Sequence, residues 1–250
     1  MTGLGGAGCQ DMRKCCRPTS PTCQCHHVAR YRAVLFDWML TLAEYPDDRE
    51  HVRRAHLAIE RDLELAMLDA IVGRLETAAR DADVIAAMAH EDCSTELHRL
   101  ANLLLFERAE IDHDLAVAMY ALLGDPTFHP VYAETPTVLR DLADHGVRVA
   151  VVSDIHVDLR AHAVIHGIDH LIDSWILSYQ HGIQKPDRAL FQLALDALGV
   201  RAADTLMVGD RASHDGAAAT LGIDTLILPA RRDAIHRRSG RLDAVMLMMG

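Results

Sequence analysis

A run of β-forming apolar residues, Ala33 to Phe36, stops abruptly on a carboxylate at Asp37 and enters a polar bend at Thr41. Unbroken apolar character, without alternation, marks a strand covered on both faces, as in a parallel sheet packed between helices. Open sheets of that kind hold their ligands at the carboxyl ends of the strands, which is where Asp37 stands. A carboxylate is costly to bury alone, so it should meet a cation or carry out chemistry.

Downstream, strand and helix patterns alternate. Thr135-Pro136 predicts a helix start, with Thr135 as N-cap and Pro136 at the first helical position, and Gly146 as its stop. Residues 147–152, 175–178, 205–208 and 224–228 read as strands; a helix follows Ser153 as far as His166, and 187–198 and 215–221 also read as helices. Such alternation predicts a doubly wound α/β domain with a parallel sheet. The tail after Arg231 is Arg-rich and then apolar, which predicts a final helix on the core; its arginines read as a solvated face.

Between the first strand and this array lies a block with no strand-like stretch. Val52, Ala55, Ile59, Leu63, Met67 and Ile71 follow three-and-four spacing and predict one amphipathic helix over 51–75. Two more helices are predicted over 95–110 and 112–123, the latter stopped by Gly124 and Pro126.

Three later stretches supply partners for Asp37: Val149 to Ser153 with Asp154, Gln184-Lys185-Pro186-Asp187, and Gly209-Asp210 with Asp215. In this order the four stretches resemble the motifs of the haloacid dehalogenase-like (HAD) hydrolase superfamily, from about Arg32 to the C-terminus. The resemblance implies a Rossmann-like core at 31–44 and 130–250, and a helical cap inserted at 45–129. It implies that Asp37 is a nucleophile forming an aspartyl-phosphate, with Ser153 and Lys185 beside it and Thr41 and Asp154 at the substrate. It further implies Mg²⁺ held by Asp37, the backbone carbonyl of Met39 and Asp210, with Asp215 as second acid of the last motif. An oxygen-only set with few carboxylates suits that ion. The expected substrate is a small phosphorylated, or halogenated, molecule.

Two positions depart from the family pattern. Most phosphatases of the family carry a second Asp two residues after the nucleophile as general acid and base; here it is Met39, followed by Leu40 where Gly is common. Asp154, His156 or an acid of the Asp47–Asp48 stretch stand as substitutes. A 2-haloacid dehalogenase needs no such acid, since halide leaves unprotonated, but it lacks the Gly-Asp metal ligand present here. Phosphonoacetaldehyde hydrolases use a cap lysine, and residues 45–129 contain none. A Mg²⁺-dependent phosphatase is the leading expectation, a dehalogenase the second, and a catalytically weak binding or regulatory protein the third.

Composition narrows the partners. A net charge of −11 disfavours a nucleic-acid surface, and no apolar run approaches a membrane span. Lys14 and Lys185 are the only lysines, so a compact ammonium is kept at 185 where Arg would supply a generic charge. Five of six cysteines fall within the first thirty residues, at spacings unlike C-x₂₋₄-C zinc pairs. Residues 1–30 read as a disordered leader, with Val28 as an alternative natural start. A single remaining cysteine, Cys93, points to the cytoplasm.

Overall fold

The structure, a computed structural model, describes residues 29–229 and 240–250. The leader through Val28, with its cysteines and histidines, and the arginines between Ala230 and Ser239 lie outside the described residues.

Five parallel strands form the sheet: β1 (Ala33–Phe36), β2 (Arg148–Ser153), β3 (Ser174–Leu177), β4 (Thr205–Gly209) and β5 (Asp224–Ile227), in the order β3-β2-β1-β4-β5. The central position of β1 explains its unbroken apolar run. Val34 and Phe36 pack to one face with Val149, Val151, Leu206 and Val208. Ala33 and Leu35 pack to the other with Ala150, Val152 and Met207. The first face is covered by α6 (Thr135–Asp144) and α10 (Asp243–Met249), the second by α9 (Arg188–Leu198). Each large side chain buried in this way contributes roughly 1.5–3 kcal/mol. Phe36 pairs in register with Val151 on β2 and Val208 on β4, so the residues after these three strands meet at one edge.

The inserted block is all-helical: α1 (Asp48–Ala58), α2 (Leu65–Ala78), α3 (Ala82–Met88), α4 (Thr95–Arg108) and α5 (His113–Leu123). It has its own core, in which Val52, Leu68, Ile71, Phe106, Leu115 and Met119 are buried together. The predicted helix over 51–75 is two helices. The chain reverses at Glu60, whose φ of 51° is left-handed, and the Arg61 amide donates back to the His56 carbonyl. That is a Schellman closure made without glycine. The apolar spacing runs through the break because both helices face the same core. Glu110, at φ 53°, ends α4 in the same manner, with Ile111 donating to Phe106.

Three local expectations are corrected. Thr135 is the first residue of α6 rather than its cap; its hydroxyl donates 2.8 Å to the Leu42 carbonyl and ties the helix to the loop after β1. The helix expected over 215–221 is a 3₁₀ turn, Asp215–Leu221, closed by Gly222 at φ 83°. Arg241 is not solvated. It is 8% exposed, donates to the carbonyls of Leu40, Thr41 and Pro229, and stacks over Tyr132. The C-terminal segment thereby holds the loop that carries Met39 and Leu40. The helix expected as far as His166 is the short α7 (Arg160–Ile165), and two other short helices, α3 and α8 (Ser178–His181), escaped the sequence pattern. Among the described residues no helix is long and apolar enough to cross a membrane.

Candidate active site

Asp37 follows β1 directly, and its amide donates 2.9 Å to the Val208 carbonyl, which fixes it to the sheet edge. Its Oδ1 accepts 2.7 Å from Lys185 Nζ, and its Oδ2 lies 3.4 Å from the Thr41 hydroxyl. Lys185 Nζ also donates 2.6 Å to Asp215 Oδ1, while Asp215 Oδ2 accepts 2.9 Å from the Arg211 amide. Both Asp215 oxygens are therefore engaged. Asp210 follows β4 at the same edge, and carboxylate oxygens of Asp37, Asp210 and Asp215 lie within 4.8 Å of one another.

Three carboxylates thus share one ammonium. Burial pushes the Asp37 carboxyl up to about 7, with Lys185 partly opposing and Asp215 and Asp210 reinforcing. Asp210 is raised too, by burial and then by Asp215. Burial also works against the Lys185 ammonium, but Asp37, Asp215 and Asp154 outweigh it and keep it charged. The cluster has an excess of negative charge and offers only oxygen donors. That set fits a small divalent cation, with Asp37 and Asp210 as its direct carboxylates and Asp215 acting through its neighbours.

Gly209 is required by this packing. A Cβ there would lie 2.2 Å from Asp215 Cγ, and Asp215 cannot withdraw without leaving Lys185 and the Arg211 amide. Gly209→Ala is expected to destabilise the fold by about 1–3 kcal/mol, measured as a lower midpoint in urea; an unchanged midpoint would mean that Asp215 has room to move.

The site opens into a cavity of about 540 Å³ between the sheet edge and the helical block. Met39, Leu40, Asp154, Lys185, Asp210 and Arg211 line it from the sheet side; Glu91, Asp92, His98 and Leu123 line it from the helices. The turn after Asp37 is tight: the Trp38 carbonyl accepts from Thr41, Leu42 and Ala43, and Leu40 takes a φ of 59°. A leucine in that left-handed conformation is strained. Of the other sequence-derived candidates, Asp154 accepts 2.8 Å from the Lys185 amide and so shapes the lysine loop. Ser153 is fully buried, its hydroxyl 3.5 Å from the Asp154 carbonyl, and Thr41 is buried beneath Asp37. Neither hydroxyl is among the residues that line the cavity.

The helical wall was not visible in the sequence. Glu91 and Asp92 sit on a 3₁₀ turn, Glu91–Cys93, too short for any periodic signal. His98 stacks on His156 with ring centroids 3.4 Å apart. Burial lowers His98 to about 3 and His156 and His129 to about 4, so all three are neutral at neutral pH. On the sheet side, Arg211, whose guanidinium bonds the His214 ring, follows Asp210 directly and so lay next to a motif without being singled out.

Known proteins bear on this geometry. Residues 31–222 match the family model of haloacid dehalogenase-like hydrolases. A phosphoserine phosphatase of Thermus thermophilus is 32% identical over 94 residues, 37% of this chain and 38% of that protein. A glyceraldehyde 3-phosphate phosphatase of Methanothermobacter thermautotrophicus is 27% identical over 129 residues, 46% of this chain and 57% of its own length. The chain thus spans less than two thirds of either curated relative. Among solved structures, a HAD phosphatase from Thermococcus onnurineus superposes with a TM-score of 0.52 at 18% identity, covering 81% of this chain and 88% of the other. The L-2-haloacid dehalogenase from Xanthobacter autotrophicus gives 0.58 at 20%, covering 79% and 77%. With the strand-end aspartates and buried lysine in place, the family match over most of its length makes this chain a member of the haloacid dehalogenase-like hydrolases.

Proposed function

We propose that the protein is a small-molecule phosphatase that uses Mg²⁺ and works through an aspartyl-phosphate on Asp37. The observation that carries this reading is the third carboxylate: Asp210 beside Asp37 and Asp215, with one ammonium among them. Halide displacement has no use for that charge excess, whereas phosphoryl transfer needs a cation to cancel charge on the phosphoryl oxygens. The curated relatives with phosphatase names support the same choice. We also assign 45–129 as the cap and 31–44 with 130–250 as the core. A cytoplasmic setting is consistent with the free thiol of Cys93.

In this reading Asp37 Oδ2 attacks phosphorus while Lys185 holds Oδ1, steers the carboxylate and neutralises part of the incoming charge. Mg²⁺, held by Asp37, Asp210 and the Met39 carbonyl, would neutralise the rest. Asp215 orients Lys185 and the Arg211 amide. Arg211, at the cavity wall, supplies positive charge to the phosphoryl group, and Ser153 and Thr41 support the floor.

The test is a substrate screen with p-nitrophenyl phosphate, acetyl phosphate and 2-chloropropionate, using Asp37→Asn as blank. Phosphate release that stops in EDTA and returns with Mg²⁺ is the expected result. Halide release persisting in EDTA would replace the reading with a dehalogenase, and no turnover of any compound would leave a binding protein.

A further inference from the structure

We propose that Asp92, on the Glu91–Cys93 turn of the helical block, is the general acid and base of this active site, the duty that Met39 cannot perform. The assignment rests on the phosphatase reading above. In an in-line displacement the leaving oxygen departs on the side of phosphorus opposite the attacking carboxylate. Asp37 attacks from the sheet edge, Met39 on that side has no proton to give, and Asp92 lines the facing helical wall of the same cavity.

The turn is fixed to the catalytic loops. The Ser178 hydroxyl donates 2.6 Å to the Asp92 carbonyl and also bonds Ile155. The Thr95 hydroxyl donates 2.7 Å to the His156 carbonyl, and the Gln184 amide donates 3.1 Å to the Ala89 carbonyl. Residues adjoining the nucleophile's partners therefore hold Asp92 in register with the core. Its own carboxyl takes no hydrogen bond among the described residues, which leaves it available to a substrate oxygen.

Its surroundings keep it protonated. The charged and titratable groups that face it are Glu91 and Cys93 on its own turn, His98 on α4, Asp154 and His156 after β2, Lys185 and Arg211. Burial, then Glu91 and Asp154, push its carboxyl up to about 8, with Arg211 and Lys185 opposing. The competitors are otherwise occupied. Glu91 accepts from Asn102, Asp154 from the Lys185 amide, and Asp47 caps α1. His156 is neutral and cannot donate as an imidazolium. Asp92, His98 and His156 also bring ligand atoms within 4.8 Å of one another. The two rings are stacked nearly parallel at 3.4 Å, however, so no single ion can lie in both ring planes.

The protons and electrons balance. Asp37 Oδ2 forms a bond to phosphorus as the bond to the ester oxygen breaks; that oxygen keeps the pair and takes the Asp92 proton, giving an alcohol and an Asp92 carboxylate. The carboxylate then takes a proton from the water that attacks the aspartyl-phosphate, releasing phosphate, freeing Asp37 and restoring the acid.

The experiment compares an alkyl phosphate with p-nitrophenyl phosphate in wild type, Asp92→Asn and Glu91→Gln at saturating Mg²⁺, with melting temperatures as the check of folding. General acid help is worth roughly 10²–10⁴-fold. Asp92→Asn should lose that much kcat/KM on the alkyl ester and less than about tenfold on the aryl ester, whose leaving group needs no proton. In wild type, alkyl turnover should fall above pH 8, as Asp92 ionises, while aryl turnover does not; this profile serves if the variant fails to fold. Equal losses on both esters, no loss, or the selective loss appearing in Glu91→Gln would overturn the assignment while leaving a phosphatase. A wild type that hydrolyses neither ester would remove the phosphatase reading and this assignment with it.

Discussion

Asp37→Asn is expected to abolish turnover, by on the order of 10⁴-fold or more, while the fold persists. The amide keeps the shape of the carboxyl but cannot form the aspartyl-phosphate of the proposed mechanism. Lys185 retains its 2.6 Å bond to Asp215, so the ammonium is not stranded. The stability effect has a definite sign. The folded pKa of Asp37 is raised from 3.8 to about 7, chiefly by burial, so the folded state holds that proton more firmly than the unfolded chain. Wild-type stability is therefore lost as pH rises through that interval, and the full cost is carried above about pH 7. Asparagine carries no such cost. Its melting temperature should match wild type near pH 4 and equal or exceed it at pH 8 in the absence of metal. Mg²⁺ should then raise the wild-type value more than that of the variant, because a cation that binds only the folded site stabilises in proportion to its affinity. Thermal melts at two pH values with and without Mg²⁺ check both statements. A variant that melts much lower at pH 8 would mean that the Asp37–Lys185 pair is a net support of the fold.

What could be read from the chain in advance was whatever depends on local pattern. Parallel strands buried on both faces appear as apolar runs, and an acid at the end of such a run has few structural reasons to be there; Asp37 and Asp210 stood out for that cause. Lys185 stood out because arginine replaces lysine elsewhere in the described chain. The cap was harder. Its helices are periodic, but its reversals at Glu60 and Glu110 use left-handed glutamates where glycine is the usual marker, so α1 and α2 merged in the pattern. Asp92 lies on three residues of 3₁₀ turn, and its importance comes from Ser178 and Gln184, about ninety residues away in sequence. Arg241 clamps a loop two hundred residues upstream. Contacts of that range leave no trace in local composition.

Lys185→Met and Lys185→Arg are expected to separate two duties of the one buried lysine. Methionine fills a similar volume but leaves Asp37 and Asp215 facing each other without a cation. Removing one partner of a buried ion pair typically costs about 3–5 kcal/mol. The cost depends on pH in a predictable direction. The Lys185 pKa is raised above its ordinary 10.5, so its contribution is fully present below that value and is lost as pH rises through the higher folded value. At the acid end Asp37 takes up a proton at about pH 7 and part of the pairing disappears. The deficit of Lys185→Met should therefore be largest between about pH 7 and 10.5, and smaller at pH 5. Urea midpoints at pH 5 and pH 9 measure it; a deficit that grows toward pH 5 would contradict the charge account. Arginine keeps the charge, so its stability loss should be the smaller of the two. Its activity should still fall by roughly 10²-fold or more, because a planar fork with spread donors replaces one compact ammonium. Lys185 is 2% exposed, and Nζ makes contacts of 2.7 and 2.6 Å to two different carboxylates. A guanidinium in that space must displace at least one of them, and in the proposed mechanism displacing Asp37 turns the attacking oxygen away from phosphorus. If Lys185→Arg retains near-normal kcat, the site needs only a positive charge, and the distances around Nζ are not what aims the nucleophile.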